Sequence, residues 1–404
     1  MALTLSKRTV SIAPSVTLAI DARAKELRAA GMDVIGFGAG EPDFGTPEYI
    51  GDAAKYAIDH GMTRYTPVGG TMDLRKEICK KFERDNGLHY EPTQIVVSNG
   101  AKQSLFNALS AILNPGDEVL IPAPCWVSYP EMVRMAGGEP VLVKGDESNG
   151  FIVDAETLRP YVNEYTKALI LNSPNNPNGN VCSREVLQGI ADLAVEMGFY
   201  VISDEIYEKL IYDGEEHVSI ASLNEDIQAQ TIVINGVSKS YAMTGWRIGY
   251  AAGPQSVIRA MTAYQSHASS NANSIAQYAA QIALTDGHEY LHNMVETFSR
   301  RRKLMHERLN AISGLSAQLP KGAFYMMMNI SGVIGKYCGD AEITGSNTFA
   351  ALLLDNKQVA VVPALAFGDD HYVRLSYATS TQNIEVGMDR IAEFVAGLTD
   401  EPTA

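Results

Sequence analysis

Short apolar runs alternate along the chain with longer stretches in which apolar residues return every three or four positions. Gln94-Ile-Val-Val-Ser98, Glu118-Val-Leu-Ile-Pro122, Pro140-Val-Leu-Val143, Lys167-Ala-Leu-Ile-Leu171, Tyr200-Val-Ile-Ser203 and Thr231-Ile-Val-Ile-Asn235 read as strands buried on both faces. Gln103 to Leu113 reads as the helix after the first of them. Arg184 to Met197 carries the 3.6-residue period of a helix between two others. This alternation predicts an α/β fold: a doubly wound, mostly parallel sheet covered by helices. In such sheets ligands bind beyond the carboxyl ends of the strands.

From about residue 288 the texture changes. His288 to Ile312 predicts one long charged helix, and its Arg300-Arg301-Arg302-Lys303 run reads as a solvated face. Gly322-Ala-Phe-Tyr-Met-Met-Met-Asn329, Val359-Ala-Val-Val362 and Tyr372-Val-Arg-Leu-Ser376 follow, suggesting a smaller α+β domain. The expected division is a large domain over 46–287. A small domain is expected over 288–404, joined by the N-terminal segment 1–45.

Composition narrows the function classes. The 404 residues are 46% hydrophobic and 20% charged, which is ordinary for a globular chain. A formal net charge of −15 opposes nucleic-acid binding, which needs a basic footprint. No apolar run approaches the roughly 20 residues of a membrane span. The N-terminus has no signal-peptide pattern. Cys79, Cys125, Cys182 and Cys338 form no CxxC pair, so scattered thiols point to a reducing, cytoplasmic setting. The eight histidines show no HExxH spacing, and no metal is expected.

The candidate chemistry lies where the predicted strands end. Ser238-Lys239-Ser240 follows Thr231–Asn235 and precedes Gly245-Trp-Arg-Ile-Gly-Tyr250. A lysine at the end of a buried strand becomes a nucleophile if its pKa falls from about 10.4 toward neutrality. Such lysines form Schiff bases with carbonyl compounds. Ser98-Asn-Gly-Ala-Lys-Gln103 links a strand to a helix, where small residues let backbone N–H groups approach a phosphate. An ordinary turn would look the same. Gly36-Phe-Gly-Ala-Gly40 lacks the last glycine of a dinucleotide fingerprint, since Glu41 and Pro42 follow. Ser203-Asp-Glu-Ile-Tyr207 places a carboxylate at another strand end, suited to a pyridinium nitrogen or to a helix cap. Asn172-Ser-Pro-Asn-Asn-Pro-Asn-Gly179 has surface-loop composition. Trp126 is either core or a platform for a flat ligand. Arg374 sits inside an apolar strand and needs an anion, whether a structural partner or a bound carboxylate.

Together these segments resemble the class I pyridoxal-phosphate (PLP) aminotransferases of fold type I, and among them the prokaryotic aspartate branch. The resemblance runs from Pro14-Ser15 to the C-terminal domain. It includes Gly40-Glu-Pro-Asp-Phe44, Arg64-Tyr-Thr-Pro67 and Trp126-Val-Ser-Tyr-Pro130 besides the motifs above. It implies that Lys239 is the Schiff-base lysine and then the acid and base of the proton shift. Asp204 would pair with the pyridine nitrogen, Tyr207 and Asn176 would contact the ring oxygen, and Trp126 would stack on the ring. Gly100, Ala101, Lys102, Ser238 and Arg247 would lie around the phosphate. Tyr65 would reach the phosphate of the neighbouring subunit of a homodimer.

The same resemblance places the substrate α-carboxylate on Arg374 and the backbone of Gly40, helped by Asn176. Lys102, assisted by Ser15, would take the distal carboxylate. The expected reaction is ping-pong transfer of an amino group from aspartate to 2-oxoglutarate. The alternatives are an aminotransferase for aromatic or other neutral amino acids and a PLP-dependent β-lyase. Two positions depart from the family pattern. Ala13 stands where a basic residue often precedes Pro-Ser, which weakens prephenate as a substrate, and Asn178 replaces a threonine.

Overall fold

Strands that are apolar on both faces form the centre of the chain, because neither face can be left to water. The computed structural model describes residues 3–6, 10, 12, 16–285 and 288–402. Ser15 and Ala13 lie outside the described residues. Seven strands form one sheet: β1 (Ile95–Ser98), β2 (Glu118–Ala123), β3 (Glu139–Lys144), β4 (Thr166–Asn172), β5 (Tyr200–Asp204), β6 (Thr231–Gly236) and β7 (Gly249–Ala252). Their order is β1-β7-β6-β5-β4-β2-β3. Only β7 runs against its neighbours, β1 and β6. Every residue of β1, β6 and β7 is buried, whereas edge strand β3 alternates toward solvent.

Alternate strand residues feed cores on opposite faces. Val97 and Val233 pack under α2 (Glu48–Asp59), α3 (Met72–Asn86) and a further helix, Ser274–Thr285. Val96, Ile232 and Ile234 pack under α4 (Ala101–Ile112) and α5 (Ser128–Ala136). The helix α6 (Arg184–Met197) has the predicted bounds. Ser183 caps its first turn by accepting from the Val186 N–H, and Gly198 ends it in the left-handed region that glycine tolerates. α4 starts two residues before its expected position and has no side-chain cap.

A second, antiparallel sheet has the order β10-β11-β9-β8. Its strands are β8 (Ser316–Ala317), β9 (Tyr325–Asn329), β10 (Val362–Pro363) and β11 (Tyr372–Ser376). The long helix α7 (His288–Asn310) packs on it through Met294, Phe298, Met305 and Leu309. An N-terminal helix, α1 (Val16–Ala29), rests against this part through Ala24, with Val34 and Ala360. Among the described residues no helix is long and apolar enough to cross a membrane.

The basic run on α7 is not a uniformly solvated face. Four consecutive residues span about 300° of a helix, so one must turn inward. Arg300 is exposed and faces Glu296. Arg301 pairs with Asp43 at 2.8 Å and lies over Phe44. Arg302 is 1% exposed, pairs with Asp213, donates to the Pro320 carbonyl and covers the Tyr212 ring.

Candidate active site

The carboxyl ends of β4 and β5, the loop after β6 and the first turn of α4 open on one cavity of about 480 Å³. Lys239 follows β6 between Ser238 and Ser240, both buried. Its Nζ donates to the Gly40 carbonyl at 2.5 Å. Burial pulls this ammonium down to about 8, with Arg247 and Arg374 adding to the shift and Glu41 opposing it. A lysine in this range supplies a neutral amine near physiological pH.

Asp204, the last residue of β5, is 3% exposed and stands in register with Asn172 at the end of β4. Tyr129 donates to its Oδ2 at 2.7 Å, and the Ile206 N–H reaches Oδ1 at 3.3 Å. Burial pushes the carboxyl up to about 6, against the hydrogen bonds from Tyr129 and Ile206. Among the described residues no cation pairs with it. Behind it, Glu205 accepts from Ser203 and Ser219 and faces His217 at 3.1 Å, while Glu208 pairs with Lys81. The ligand atoms of Glu205, Glu208 and His217 lie close enough to hold a metal ion. These bonds and the Lys81 pair tie them into a hydrogen-bonded support behind the strand end.

Arg374 is carried by β11 opposite Met327 and is 2% exposed. Its guanidinium donates to Asn176 Oδ1 at 3.1 Å and to the Gly38 carbonyl at 2.9 Å. It lies over the rings of Tyr325 and Phe367, and its Nε has no partner. Burial lowers its pKa, and no carboxylate among the described residues meets the charge. Asn176 is held by its own N–H to Asn172 Oδ1 at 2.9 Å, so the polar Asn172–Gly179 stretch is a buried wall here.

The other end of the cavity is cationic. Gly100 has φ +86°, and a Cβ there would stand 2.2 Å from Arg247 Nη2. A Cβ on Gly249 would stand 2.1 Å from the Ala101 nitrogen. These two glycines let the uncapped start of α4 sit directly on β7 beside Arg247. Lys102 Nζ lies 4.7 Å above the Trp126 ring, and burial followed by Arg247 lowers its pKa. Tyr207 shares a hydrogen bond with Tyr325, Oη to Oη at 3.0 Å.

The cavity thus brings together Lys239, Asp204, Tyr207, Asn176, Trp126 and Arg374 with Gly40, Ala101, Lys102, Ser238 and Arg247. Gly100 backs onto Arg247. Tyr65 does not line the cavity and is 91% exposed. Lys25, Glu41, Tyr129 and Tyr325 also line the cavity, although nothing in the sequence assigned them a role there. Tyr129 had a signal, three positions after Trp126 at the start of a helix, and Glu41 sits beside Gly40. Lys25 and Tyr325 had none.

The sequence model of class I and II aminotransferases matches residues 32–391. The aspartate aminotransferase of Geobacillus stearothermophilus is 49% identical over 394 residues, covering 97% of this chain and 98% of its own. The crystal structure of the aspartate aminotransferase of Rhizobium meliloti superposes with a TM-score of 0.95 at 43% identity, covering 98% of this chain and all of that one. The Thermus thermophilus aspartate aminotransferase with maleate superposes with a TM-score of 0.92 at 44% identity, covering 97% and 100%.

Proposed function

The chain belongs to the class I and II aminotransferases, and from that premise we propose that it transfers the amino group of aspartate to 2-oxoglutarate. The observation that carries this reading is the convergence of Lys239, Asp204 and Arg374 on one cavity. A nucleophilic amine, a buried carboxylate lacking a cation and a buried guanidinium lacking a carboxylate are complementary to PLP and an amino acid.

The residues fit that cofactor. Asp204 would hold the ring nitrogen, Tyr207 and Asn176 the ring oxygen, Trp126 a ring face, and Lys239 the aldehyde carbon. Gly100, Ala101, Lys102, Ser238 and Arg247 would surround the phosphate. Tyr65 would serve the site of a second copy, and its exposure supports a homodimer. PLP supplies the electron sink that stabilises a carbanion at the substrate Cα. Arg374, fixed by Asn176 and Gly38, binds the α-carboxylate and turns the Cα–H toward Lys239. Lys239 Nζ would take that proton and hold it for the return transfer that completes the proton shift. Its depressed pKa keeps a fraction of the amine neutral for this work. Ionised, Asp204 would keep a ring nitrogen facing it protonated.

Lys102, assisted by Ser15, would meet the distal carboxylate. The maleate bound by the Thermus relative is itself a dicarboxylate. Segment 46–287 would act as the large domain, and 1–45 with 288–404 as the small one. The cysteines Cys79, Cys125, Cys182 and Cys338 are unpaired, which supports a cytoplasmic location. A substrate panel followed by the absorbance change between PLP and pyridoxamine phosphate tests the reading. Aspartate with 2-oxoglutarate is expected to give the highest kcat/KM. A higher value for alanine or phenylalanine, or pyruvate release from cysteine conjugates, would overturn it.

A further inference from the structure

We propose that Tyr325 is a positioning residue, its hydroxyl orienting Tyr207 toward the cofactor ring oxygen and its ring face bearing the guanidinium of Arg374. The inference rests on the reading above only where that reading places Tyr207 at the ring oxygen and Arg374 at the α-carboxylate. It does not depend on which amino acid is preferred. Tyr325 lines the cavity and is 1% exposed.

Sheet register brings Tyr325 to Arg374. Tyr325 opens β9 opposite Ser376 of β11, while Arg374 stands opposite Met327. Tyr325 and Arg374 are therefore diagonal neighbours on one face of the antiparallel pair, within reach of an aromatic ring and a long side chain. The guanidinium carbon lies 4.3 Å from the centre of the Tyr325 ring and 5.2 Å from that of Phe367. A carboxylate at this place would compensate the buried charge but would also occupy the fork that a substrate needs. The two ring faces attract the cation and leave its fork free. Asn176 and the Gly38 carbonyl hold the two terminal nitrogens, and the Tyr325 ring fixes the plane.

The hydroxyl of Tyr325 meets that of Tyr207 at 3.0 Å, between rings set at 82°. Burial raises the pKa of both phenols, so each keeps its proton at working pH. A phenol has one proton to give. When Tyr207 gives its own to the ring oxygen it accepts from Tyr325, and the accepted bond strengthens the one it donates. The turn ahead of Tyr325 is firmly held. Ala323 has φ +57°, its N–H donates to the Leu210 carbonyl at 2.8 Å, and its carbonyl accepts from Tyr212 and Tyr377. The Leu210 N–H in turn donates to the Tyr207 carbonyl at 2.8 Å. Backbone thus ties together the two segments whose hydroxyls meet.

The test uses holoenzyme with Tyr325→Phe, which keeps the ring and loses the hydroxyl, and Tyr325→Leu, which loses both. A donor to the ring oxygen weakens that oxygen's hold on the proton of the nitrogen linking the cofactor to Lys239. Tyr325→Phe should therefore move the pH titration of the cofactor's visible absorbance upward by about 0.4 unit, a fraction of one charge-assisted bond. In a Tyr207→Phe background the same substitution should add nothing. Calorimetry with succinate, whose carboxylates bind without reacting, should show wild-type affinity in Tyr325→Phe and about a fivefold loss in Tyr325→Leu. An unmoved titration, or one that moves equally without the Tyr207 hydroxyl, would overturn the role of the Tyr325 hydroxyl. A loss of succinate affinity in Tyr325→Phe as large as in Tyr325→Leu, or none in either, would overturn that of the ring. Wild-type holoenzyme lacking lysine-linked absorbance would instead overturn the cofactor reading itself.

Discussion

Tyr129 donates a 2.7 Å hydrogen bond to Asp204 Oδ2, linking the first turn of α5 to the end of β5 across 75 residues. It is the strongest contact of a carboxylate that burial otherwise leaves near neutrality. Tyr129→Phe removes it without changing shape. Charge-assisted bonds contribute about 1.5–3 kcal/mol, so kcat should fall roughly tenfold or more. A pH titration of the bound cofactor should show its ring proton less firmly held. An unchanged titration would mean that Tyr129 only fills space.

Asp204 itself costs the cofactor-free protein stability. Folding raises its carboxyl from 3.8 to about 6, so between those values the native state holds more protons than the unfolded one. Stability then falls as pH rises through that window, and the cost is complete above pH 6. Asp204→Asn apoprotein should therefore exceed wild type by about 3 kcal/mol at pH 7.5. The gap should shrink as pH falls through 6 toward 4, as read from urea unfolding at several pH values. With cofactor the order should reverse, because the variant lacks the anion proposed to pair with the ring nitrogen.

Lys239→Ala should abolish nearly all turnover and the absorbance of the lysine-linked cofactor. PLP would still bind through Arg247, Asp204 and Tyr207, giving the spectrum of the free aldehyde. Retention of the wild-type spectrum would remove Lys239 from its catalytic place.

Lys102→Ala should lower kcat/KM for aspartate more than for alanine, by about tenfold in the ratio. Equal losses would assign Lys102 to the phosphate end, beside Arg247, and not to the substrate.

Arg302→Ala should destabilise the chain by about 2–3 kcal/mol. It leaves buried space over Tyr212 and strips Asp213 of one partner. The cost sits below that of a fully buried pair because Asp213 is half exposed and keeps Lys303. Arg300→Ala, on the solvated side, should stay within about 0.5 kcal/mol. Thermal denaturation of both variants separates them.

Much of this was legible in the residues before any coordinates. The six apolar runs became six strands of the large sheet, because a short apolar run leaves a signature that depends only on neighbouring residues. The Arg184–Met197 helix kept its bounds because Ser183 and Gly198 signal start and stop locally. Lys239, Asp204, Asn176 and Arg374 stood out as costly residues in apolar or turn contexts. The seventh strand, Gly249–Ala252, escaped notice because it is only four residues long, opens on glycine and has no β-branched residue.

Sequence alone determined the chemical inventory and the order of the elements, since both depend on neighbours along the chain. The tertiary structure alone decided which distant groups meet. Arg374 and Asn176 are 198 residues apart and bond only because β11 faces the loop after β4. Arg302 is buried while Arg300 is not, although both belong to one basic run, because helical phase matters only against a packed neighbour. Tyr325 lies in an apolar run and meets Arg374 only because β9 pairs with β11. Local periodicity records how a segment folds. The register of one element on another is set by long-range packing, which no single segment encodes.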